Sequence, residues 1–410
     1  MRVLVVSDYY PPFIGGAHRQ TRLVARGLAA RGHDVSVATI WYPGAADIED
    51  DDGMRVDRLR QMRTVVSRFA RPGQQHQPSF PDPVSTLQLR RIIRTVRPDV
   101  VHAYGGLAFS AAAAIGGSRL PLVLVARDYG YGCPTRTLFR KGRICAGPAV
   151  QRCVPCAMRY YGPPKGIVAT AGLALGKPVL RRATTATISV SGYVRETLQR
   201  DLFGETRDAV DAVIPSFREQ DDVEPASASP VVQRLDEMGE PFILFVGALR
   251  REKGIEDLLR SYERIAEAPP LVLIGTRERD TPESLPPGVT VIENATVPEV
   301  FAAWDRSLFG VLPSLWPEPL GSVVYEGMSR GKAVIGTRPG GHVDMIADGE
   351  DGIIVPAGDD VALEAAMRRL IDDPDLRQRL GERARLSSRR FTAAESIPRI
   401  DELLTRVSGG

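Results

Sequence analysis

Residues 1–40 carry the pattern that most constrains the fold of this chain. A continuous apolar run at residues 3–6 is what a strand buried on both faces of a parallel sheet requires. After a loop rich in Pro and Gly, apolar residues recur at three- and four-residue spacing up to residue 28, which is typical of a helix, and Gly32 suits its C-terminal cap. A second strand is predicted at residues 35–40. The order strand, helix, strand is the unit from which doubly wound α/β sheets are built.

The same alternation continues along the chain and is interrupted once. Further strands of a first domain are predicted at 99–102, 122–125, 186–190 and 213–215, and the polar residues 44–83 are interpreted as a long surface excursion. Residues 218–240 have the Pro-, Ala-, Ser- and charge-rich composition of a linker. The alternation then restarts, with strands predicted at 242–247, 271–274, 289–292, 309–312, 333–335 and 352–355.

We therefore expect an α/β protein with two doubly wound, Rossmann-like domains. The first spans 1–218 and contains a Cys-rich loop at 128–160, and the second spans 219–392. A helix at 393–410 is expected to return to the first domain.

Composition excludes several classes of protein. With 43% hydrophobic and 25% charged residues, the 410-residue chain can bury a large core, which excludes a disordered chain or a disulfide scaffold. It has no apolar stretch near the length of a membrane span, and its N-terminus lacks the pattern of a secretion signal, so we expect a cytoplasmic protein. Charge is uneven: residues 127–200 carry a net +11, which indicates an anionic surface or ligand, or else a solvated basic face.

The segment 313–327 carries the strongest chemical pattern. Two carboxylates, Glu318 and Glu326, stand eight positions apart around a Gly/Ser turn that should open a helix. The backbone N–H groups of that first turn, near Gly321 and Ser322, can hold phosphate oxygens. A carboxylate such as Glu326 can accept from two vicinal hydroxyls. Alternatively, Glu318 only caps the helix and Glu326 forms a surface ion pair.

Two shorter patterns accompany it. The loop 247–254 follows a predicted strand, and its Lys253, with Arg250 or Arg251, can neutralise a diphosphate, although basic loops are also common on surfaces. Gly15 and Gly16 follow the first strand, where a glycine pair allows a ligand to approach the backbone or simply forms a turn. The spacing of a dinucleotide fingerprint is not present there.

Taken together, these residues make the sequence similar to glycosyltransferase family 4, over nearly the whole chain. In the first half the resemblance rests on Ser7-Asp8-Tyr9-Tyr10-Pro11-Pro12, Gly15-Gly16, Arg31-Gly32-His33-Asp34-Val35, Arg97-Pro98-Asp99-Val100-Val101-His102 and Val213-Ile214-Pro215. In the second half it rests on Val246-Gly247, Glu252-Lys253-Gly254, Pro313-Ser314, the Glu318/Glu326 pair, Gly331-Lys332, Gly340-Gly341 and Asp348-Gly349.

The resemblance implies a retaining glycosyltransferase of the GT-B fold that uses no catalytic metal or organic cofactor. Its donor would be a UDP- or GDP-linked sugar, bound mainly by the second domain and facing an acceptor in the cleft between the domains. By this likeness Glu318 contacts the transferred sugar and Glu326 the ribose hydroxyls, while Lys253 holds the diphosphate. The amides near Leu320, Gly321 and Ser322 would also hold the diphosphate, and Gly16 would approach the donor from the first domain.

Two positions depart from the family pattern. Ala248 stands where many members have Arg, a role that Arg250 or Arg251 would take over. Arg127-Asp128 stands where many members have a His-Asp pair at the reaction centre, so Arg127 and Asp128 are candidate catalytic residues. An arginine cannot act as a general base, but it can steady a phosphate or an anionic acceptor; the alternative is a structural ion pair.

Two histidines remain as candidates for the acceptor side. These are His18 and His102, the second of which ends a predicted strand. A histidine at such a position is more often a packed core residue than a catalyst.

All four cysteines fall in one window, at Cys133, Cys145, Cys153 and Cys156. Structural zinc held by four thiolates is the first interpretation, and disulfides and ordinary reduced thiols are the alternatives. A site with four thiolates leaves no open position, so such a metal would not be catalytic.

The function that these patterns favour is transfer of a hexosyl or N-acetylhexosaminyl group to a hydroxyl of a lipid-linked, saccharide or secondary-metabolite acceptor. A nucleotide-sugar epimerase or a phosphorylase on the same fold is the alternative. A protein that binds nucleic acid or an anionic surface through the Cys cluster is the alternative of another class, and nucleic acid is disfavoured because the chain lacks a known module. The apolar stretch 167–180 fits either a helix on an anionic membrane or an ordinary buried helix.

Overall fold

The computed structural model describes residues 1–12, 16–62, 79–204, 210–218, 224–278 and 280–409. The chain forms two units. Unit 1 consists of Met1–Leu138, Ala146–Arg218 and Ala393–Gly410, and unit 2 of Phe139–Cys145 and Glu219–Thr392. The boundaries near 218 and 392 coincide with those expected from the sequence.

The strands, in chain order, are β1 (Arg2–Ser7), β2 (Asp34–Ile40), β3 (Ile48–Asp51), β4 (Met54–Leu59), β5 (Val100–Tyr104), β6 (Leu122–Ala126), β7 (Phe139–Arg140), β8 (Arg143–Ile144), β9 (Thr184–Ser189), β10 (Val210–Val213), β11 (Phe242–Val246), β12 (Leu271–Ile274), β13 (Val289–Ile292), β14 (Ser307–Val311), β15 (Val334–Arg338) and β16 (Ile353–Pro356).

The α-helices are α1 (Gly16–Ala30), α2 (Pro83–Val96), α3 (Leu107–Ile115), α4 (Val150–Tyr161), α5 (Pro163–Ala183), α6 (Gly192–Leu198), α7 (Pro230–Glu237), α8 (Ile255–Glu263), α9 (Val297–Arg306), α10 (Ser322–Ser329), α11 (His342–Met345), α12 (Asp360–Asp372), α13 (Pro374–Ser387) and α14 (Ala393–Ser408). Among the described residues, none of these helices is long and apolar enough to cross a membrane.

The sheet of unit 1 has the strand order β10-β9-β6-β5-β1-β2-β4-β3 in the described residues. Its pairs are parallel except that β3 and β4 form an antiparallel pair at the edge. Strand β1 lies at the centre, with Val5 between Val37 and His102, and its apolar residues are fully buried. A strand covered on both faces must be apolar throughout, which is why the apolar run at residues 3–6 predicted this strand correctly.

Helix α14 completes unit 1. Its Ile397, Ile400 and Leu404 belong to the same buried cluster as Leu28 of α1. Gly27 permits this approach, since a Cβ there would lie 2.6 Å from Cδ1 of Ile397.

The sheet of unit 2 is parallel in all its pairs, with the order β13-β12-β11-β14-β15-β16 in the described residues. The order reverses next to β11, so the carboxyl ends of β11 and β14 border the crevice where ligands of such sheets bind. The basic loop 247–254 follows β11, and the acidic segment 313–327 follows β14.

Three predictions about unit 1 are wrong. The region 44–83 is not only a surface excursion, because β3 and β4 extend the sheet there; their charged residues hid the strand pattern, although Met54, Val56 and Leu59 are buried. The last strand, β10, ends at Val213 and lies earlier than the 213–215 predicted.

The third wrong prediction is that residues 128–160 form one Cys-rich loop of the first domain. This segment is not one loop of unit 1, because it contains the hairpin of β7 and β8, assigned to unit 2, and most of α4. Pro155 lies inside this helix and argued against it in the sequence.

Candidate active site

Three loops of unit 2 meet at the carboxyl ends of neighbouring strands. The 3₁₀ turn Arg251–Lys253 follows β11, residues 312–321 follow β14, and residues 339–341 follow β15. Backbone bonds join them: the N–H of Leu315 donates to the carbonyl of Glu252 at 2.9 Å, and the N–H of Gly341 donates to the carbonyl of Glu318 at 2.6 Å. The acidic loop is therefore held from both sides.

Two glycines make this close packing possible. Gly254 has φ 74°, and a Cβ there would lie 1.9 Å from the carbonyl oxygen of Pro313. Gly340 has φ 140°, and a Cβ there would lie 2.8 Å from the backbone nitrogen of Glu318. Side chains at either position would force the loops apart, so both glycines are needed for the geometry and not only for flexibility.

Glu318 is the centre of this site. Its side chain is only 7% exposed, and its Oε1 accepts hydrogen bonds from Oγ of Ser314 at 2.9 Å and from Nε1 of Trp316 at 2.8 Å. Nζ of Lys253 also donates to Oε1 and forms an ion pair with the carboxylate. Within the described part of the chain no protein donor bonds to Oε2, which leaves that oxygen available to a ligand.

The surroundings of Glu318 keep its carboxyl ionised. Burial by itself raises the pKa, but the charge of Lys253 and the bonds from Lys253 and Trp316 outweigh it, and the pKa lies below its usual value. His342 is also buried, which lowers its pKa to about 4, so at neutral pH the ring is neutral. The positive charge that stabilises Glu318 under those conditions therefore comes from Lys253.

His342 has a defined hydrogen-bonding arrangement. Its Nδ1 accepts from the backbone N–H of Thr337 at 3.1 Å, so in the neutral ring the proton is on Nε2. A Cβ on Gly321 would lie 2.8 Å from Nε2. The N–H donor of this histidine therefore lies directly beside the residue that precedes α10.

Helix α10 begins at Ser322 with Gly321, at φ 88°, as its N-cap, and no side chain in the part of the chain that the structure describes caps it. Its first N–H groups therefore remain as anion donors. Leu320 is buried, Ser322 is exposed, and Glu326 is half-buried one turn further along the helix. Ser322 and Glu326 share one face of α10 because they are four residues apart.

Arg250 lies at the start of the basic turn. Its Nε is 4.0 Å from a carboxylate oxygen of Glu252, and it is buried with no hydrogen-bond acceptor among the described residues. Together with Lys253 it gives this side of the site two cations.

The carboxyl edge of the sheet in unit 1 carries a second cluster, which includes Arg127 and Asp128. Asp128 follows β6; its Oδ1 accepts from the N–H of Gly130 at 2.7 Å, and its Oδ2 pairs with Arg136 at 3.4 Å. The guanidinium of Arg127 lies over the ring of Tyr104, 5.2 Å from its centroid. The sequence did not single out Arg136, because nothing local marks a partner eight positions away.

Asp8 lies in the same cluster, and both of its carboxylate oxygens accept backbone donors. Its two oxygens accept from the N–H groups of Gly106 and Leu107, each at 2.7 Å, at the start of α3. Burial raises the pKa of Asp8 to about 6, although Arg136 and the two backbone bonds oppose this shift.

The two candidate histidines of unit 1 differ in position. His102 lies in the middle of β5 and is 4% exposed, and burial, followed by the charge of Arg127, lowers its pKa to about 3; it is a neutral residue of the sheet interior. His18 is half-buried on α1, edge-on to the ring of Tyr9 at 5.0 Å between centroids. Gly16 is the first residue of α1, and Gly15 lies outside the described residues.

No disulfide joins Cys133, Cys145, Cys153 or Cys156, and each is partly buried. Sγ of Cys133 lies 3.3 Å from Oγ1 of Thr135, and Sγ of Cys153 accepts from the N–H of Ala149 at 3.4 Å. In the described part of the chain no group of three or more His, Cys, Asp or Glu side chains could hold a metal ion. Structural zinc stays a prediction that elemental analysis of the purified protein would test.

Sequence reasoning identified Lys253, Glu318 and the start of α10 but missed Ser314, Trp316 and His342. Ser314 and Trp316 lie within the acidic segment, so their closeness in the sequence was an available signal. His342 follows the Gly340-Gly341 pair and reaches the site only because β15 lies beside β14 in the sheet.

Comparison with known proteins gives two family matches. The model described as Glycosyltransferase Family 4 matches residues 14–210, and the model described as Glycosyl transferases group 1 matches residues 232–387. Together they account for most of units 1 and 2.

Among curated relatives, a glycogen synthase of Mycobacterium tuberculosis is 25% identical, covering 96% of this chain and 91% of the relative. The lipopolysaccharide core biosynthesis glycosyltransferase LpsD of Rhizobium meliloti is 33% identical, covering 41% of this chain and 53% of the relative.

Solved structures agree in fold over almost the whole chain. A sucrose-phosphate synthase from Thermosynechococcus elongatus has a TM-score of 0.72 at 19% identity, covering 99% of this chain and 98% of that one. The Anabaena protein Alr3699/HepE in complex with UDP has a TM-score of 0.68 at 15% identity, covering 99% and 100%. The chain therefore belongs to the family 4 and group 1 glycosyltransferases and has their GT-B fold of two Rossmann-like domains.

Proposed function

We propose that this protein transfers a hexosyl or N-acetylhexosaminyl group from a nucleoside diphosphate sugar, bound by unit 2, to an acceptor hydroxyl. The observation that carries the proposal is the state of Glu318. Three donors hold one carboxylate oxygen, and among the described residues no protein donor uses the other. A fixed, ionised and half-open carboxylate is suited to accept a hydrogen bond from a sugar hydroxyl.

The diphosphate has its own candidate donors close by. An ammonium has three N–H groups, so Lys253 keeps two after bonding to Glu318. The uncapped first turn of α10 adds backbone N–H groups, and Nε2 of His342 lies beside Gly321 at its start. Glu326 lies one turn along the same face as Ser322, where it would accept from the ribose hydroxyls.

Similar proteins support a nucleotide donor. The Anabaena protein was solved in complex with UDP and with UDP-glucose, and the mycobacterial relative is a glycogen synthase. We extend these properties to this chain as a UDP- or GDP-linked donor, with a glycan or lipid-linked acceptor.

In the proposed reaction the acceptor oxygen forms a bond to the anomeric carbon while the bond from that carbon to the diphosphate oxygen breaks. The leaving diphosphate takes the bonding electron pair, and the hydroxyl proton passes to a diphosphate oxygen. The configuration is retained, as in the enzymes that the sequence resembles. Lys253 and the N–H groups of α10 stabilise the charge that develops on the leaving group, so positioning and electrostatics supply the catalysis.

Binding of the donor can be tested by thermal shift with UDP-, GDP- and ADP-sugars. We expect one nucleotide to raise Tm by several degrees at about 100 times its Kd, since saturating ligand stabilises by about 2.7 kcal/mol. Glu326→Ala should abolish most of this shift, because its carboxylate holds the ribose.

Glu240→Ala is the matched control, as Glu240 is an exposed glutamate of the same unit. An equal shift in Glu326→Ala and the control would contradict the placement of the ribose, and no shift with any nucleotide would contradict the donor class. Product analysis with and without an added acceptor separates transfer from epimerisation.

A further inference from the structure

Helix α5 of unit 1 is packed through its smallest residues. A Cβ on Gly166 would lie 2.3 Å from the backbone nitrogen of Met158 in α4, and a Cβ on Gly172 would lie 2.2 Å from Cδ1 of Phe80. A Cβ on Gly176 would likewise lie 2.8 Å from the carbonyl oxygen of Ser79. The glycines therefore face the protein together with the buried Leu173 and Leu180, whereas Ile167, Val168 and Leu175 point the other way.

The outward face of α5 is apolar along most of its length. It consists of exposed residues that recur every three or four positions: Pro164, Ile167, Val168, Ala171, Ala174, Leu175 and Pro178. Ile167, Val168 and Leu175 are 50%, 55% and 76% exposed. A water-exposed helix face normally carries polar residues, so this face needs a partner that is itself apolar.

Charge around the helix indicates which partner. Within unit 1, residues 146–195 contain seven Arg and Lys and no Asp or Glu. Three of these cations, Lys165, Arg181 and Arg182, are exposed in the first and last turns of α5 itself. Tyr160, 56% exposed just before the helix, adds an aromatic residue of the kind enriched at membrane interfaces.

We propose that unit 1 binds the surface of an anionic lipid bilayer through the exposed face of α5, which lies in the headgroup region. Apolar side chains enter the boundary of the acyl chains while the surrounding Lys and Arg contact anionic headgroups. The 15 residues from Pro164 to Pro178 span about 22 Å, long enough to lie along the surface. This inference goes beyond the transfer reaction and does not depend on it.

Two other occupants fit less well. A second copy of the chain would bring one acid-free basic segment against another, and like charges would repel. A polynucleotide would pair with the cations but would leave the apolar face in water. A bilayer satisfies both the apolar residues and the charge.

The test is co-sedimentation of the full chain with vesicles of phosphatidylcholine alone and of phosphatidylcholine with one quarter phosphatidylglycerol. We expect binding to the anionic vesicles that is at least tenfold tighter than to the neutral ones. The variant Ile167→Ser/Val168→Ser/Leu175→Ser should lose about tenfold or more. Lys165→Gln/Arg181→Gln/Arg182→Gln should lose roughly fivefold for each charge removed.

Each variant has a control in unit 2. Val361→Ser/Leu386→Ser removes residues that are 69% and 61% exposed, and Arg379→Gln/Arg383→Gln/Arg389→Gln removes three exposed cations. The controls should bind like the wild type. All variants should keep the nucleotide-induced thermal shift, which shows that they fold and separates this test from that of the donor site.

Three results would overturn the proposal. The first is that the wild type binds both kinds of vesicle equally or binds neither. The second is that the variants and their controls lose vesicle binding to the same extent. The third is a dimer in light scattering that the α5 variants abolish. The last result would assign the face to a second copy of the chain.

Discussion

The carboxyl edges of the two sheets carry buried or partly buried carboxylates that differ in how their oxygens are used. In unit 1 both oxygens of Asp8 accept backbone N–H groups, and Asp128 bonds to Gly130 and Arg136. In unit 2 every donor to the Glu318 carboxylate among the described residues bonds to Oε1. A carboxylate with both oxygens occupied holds loops together, whereas one that keeps an oxygen open can also bind a ligand.

The pKa values show the same difference. Burial raises that of Asp8 to about 6, because two neutral amides and a guanidinium do not compensate for it fully. Lys253 bonds directly to Glu318 and keeps its pKa below the usual value. Glu318 therefore keeps its buried charge into the acidic range, whereas Asp8 takes up a proton as the pH falls through about 6.

The largest expected effect comes from Glu318→Gln. The amide can still accept from Lys253 through its oxygen, but its NH₂ group cannot accept a sugar hydroxyl in place of Oε2. We expect sugar transfer to fall by roughly 100- to 1000-fold, measured as kcat/KM, while Glu240→Gln stays near the wild type. A variant with more than half of the wild-type rate would show that the open oxygen has no catalytic role.

The next effect is on the pH dependence of the free energy of unfolding. The contributions of His342 in unit 2 and of Asp8 in unit 1 to this dependence have opposite signs. His342 is held neutral in the fold with a pKa of about 4, so its contribution to stability is complete above pH 6.5 and is lost as pH falls toward 4. Asp8 binds its proton more tightly when folded, so its contribution is complete below about pH 3.8 and is lost as pH rises through about 6. Each contribution is on the order of 3 kcal/mol.

Urea unfolding between pH 4 and pH 7 measures both contributions to stability. His342→Asn, which retains an acceptor for Thr337, should lose less stability than the wild type on acidification. Asp8→Asn should lose more on acidification, because the opposing contribution is removed. Parallel pH curves for the wild type and both variants would contradict these assignments.

The smallest effect concerns Gly321. Gly321→Ala adds a Cβ at φ 88° and 2.8 Å from Nε2 of His342, whereas Gly349→Ala adds one at φ 75° with nothing within 4 Å. Both variants bear the strain of the left-handed region, of about 1–2 kcal/mol. We expect Gly321→Ala to be less stable than Gly349→Ala by about a further 1 kcal/mol, and to weaken the nucleotide-induced thermal shift.

The double variant Gly321→Ala/His342→Ala identifies the source of that difference. Removing the imidazole should recover part of the nucleotide-induced shift if the clash causes the defect. No recovery would show that the ring is needed for binding in its own right.

The apolar stretch 167–180 shows where reasoning from sequence stops. Its small and apolar residues were consistent with a helix but left open a buried or a membrane-facing one. Periodicity tells which residues share a face, and not which face packs. The structure places the glycines inward, against Met158 and Phe80, because only residues without side chains fit such a short separation.

The sequence by itself determined what is local: the apolar strands of both sheets, the boundaries near 218 and 392, the turn before α10, and Lys253, Glu318 and Glu326 as candidates. Those features depend on the neighbours of a residue along the chain, so a pattern can carry them. Tertiary structure alone decided that Lys253, Ser314 and Trp316 share one oxygen of Glu318, that His342 lies beside Gly321, and that Arg136 pairs with Asp128. The contacts of Lys253 and His342 arise where separate strands end at one sheet edge, and strand order is a property of packing that no single segment encodes. The contacts of Ser314, Trp316 and Arg136 depend on how one loop folds after its strand.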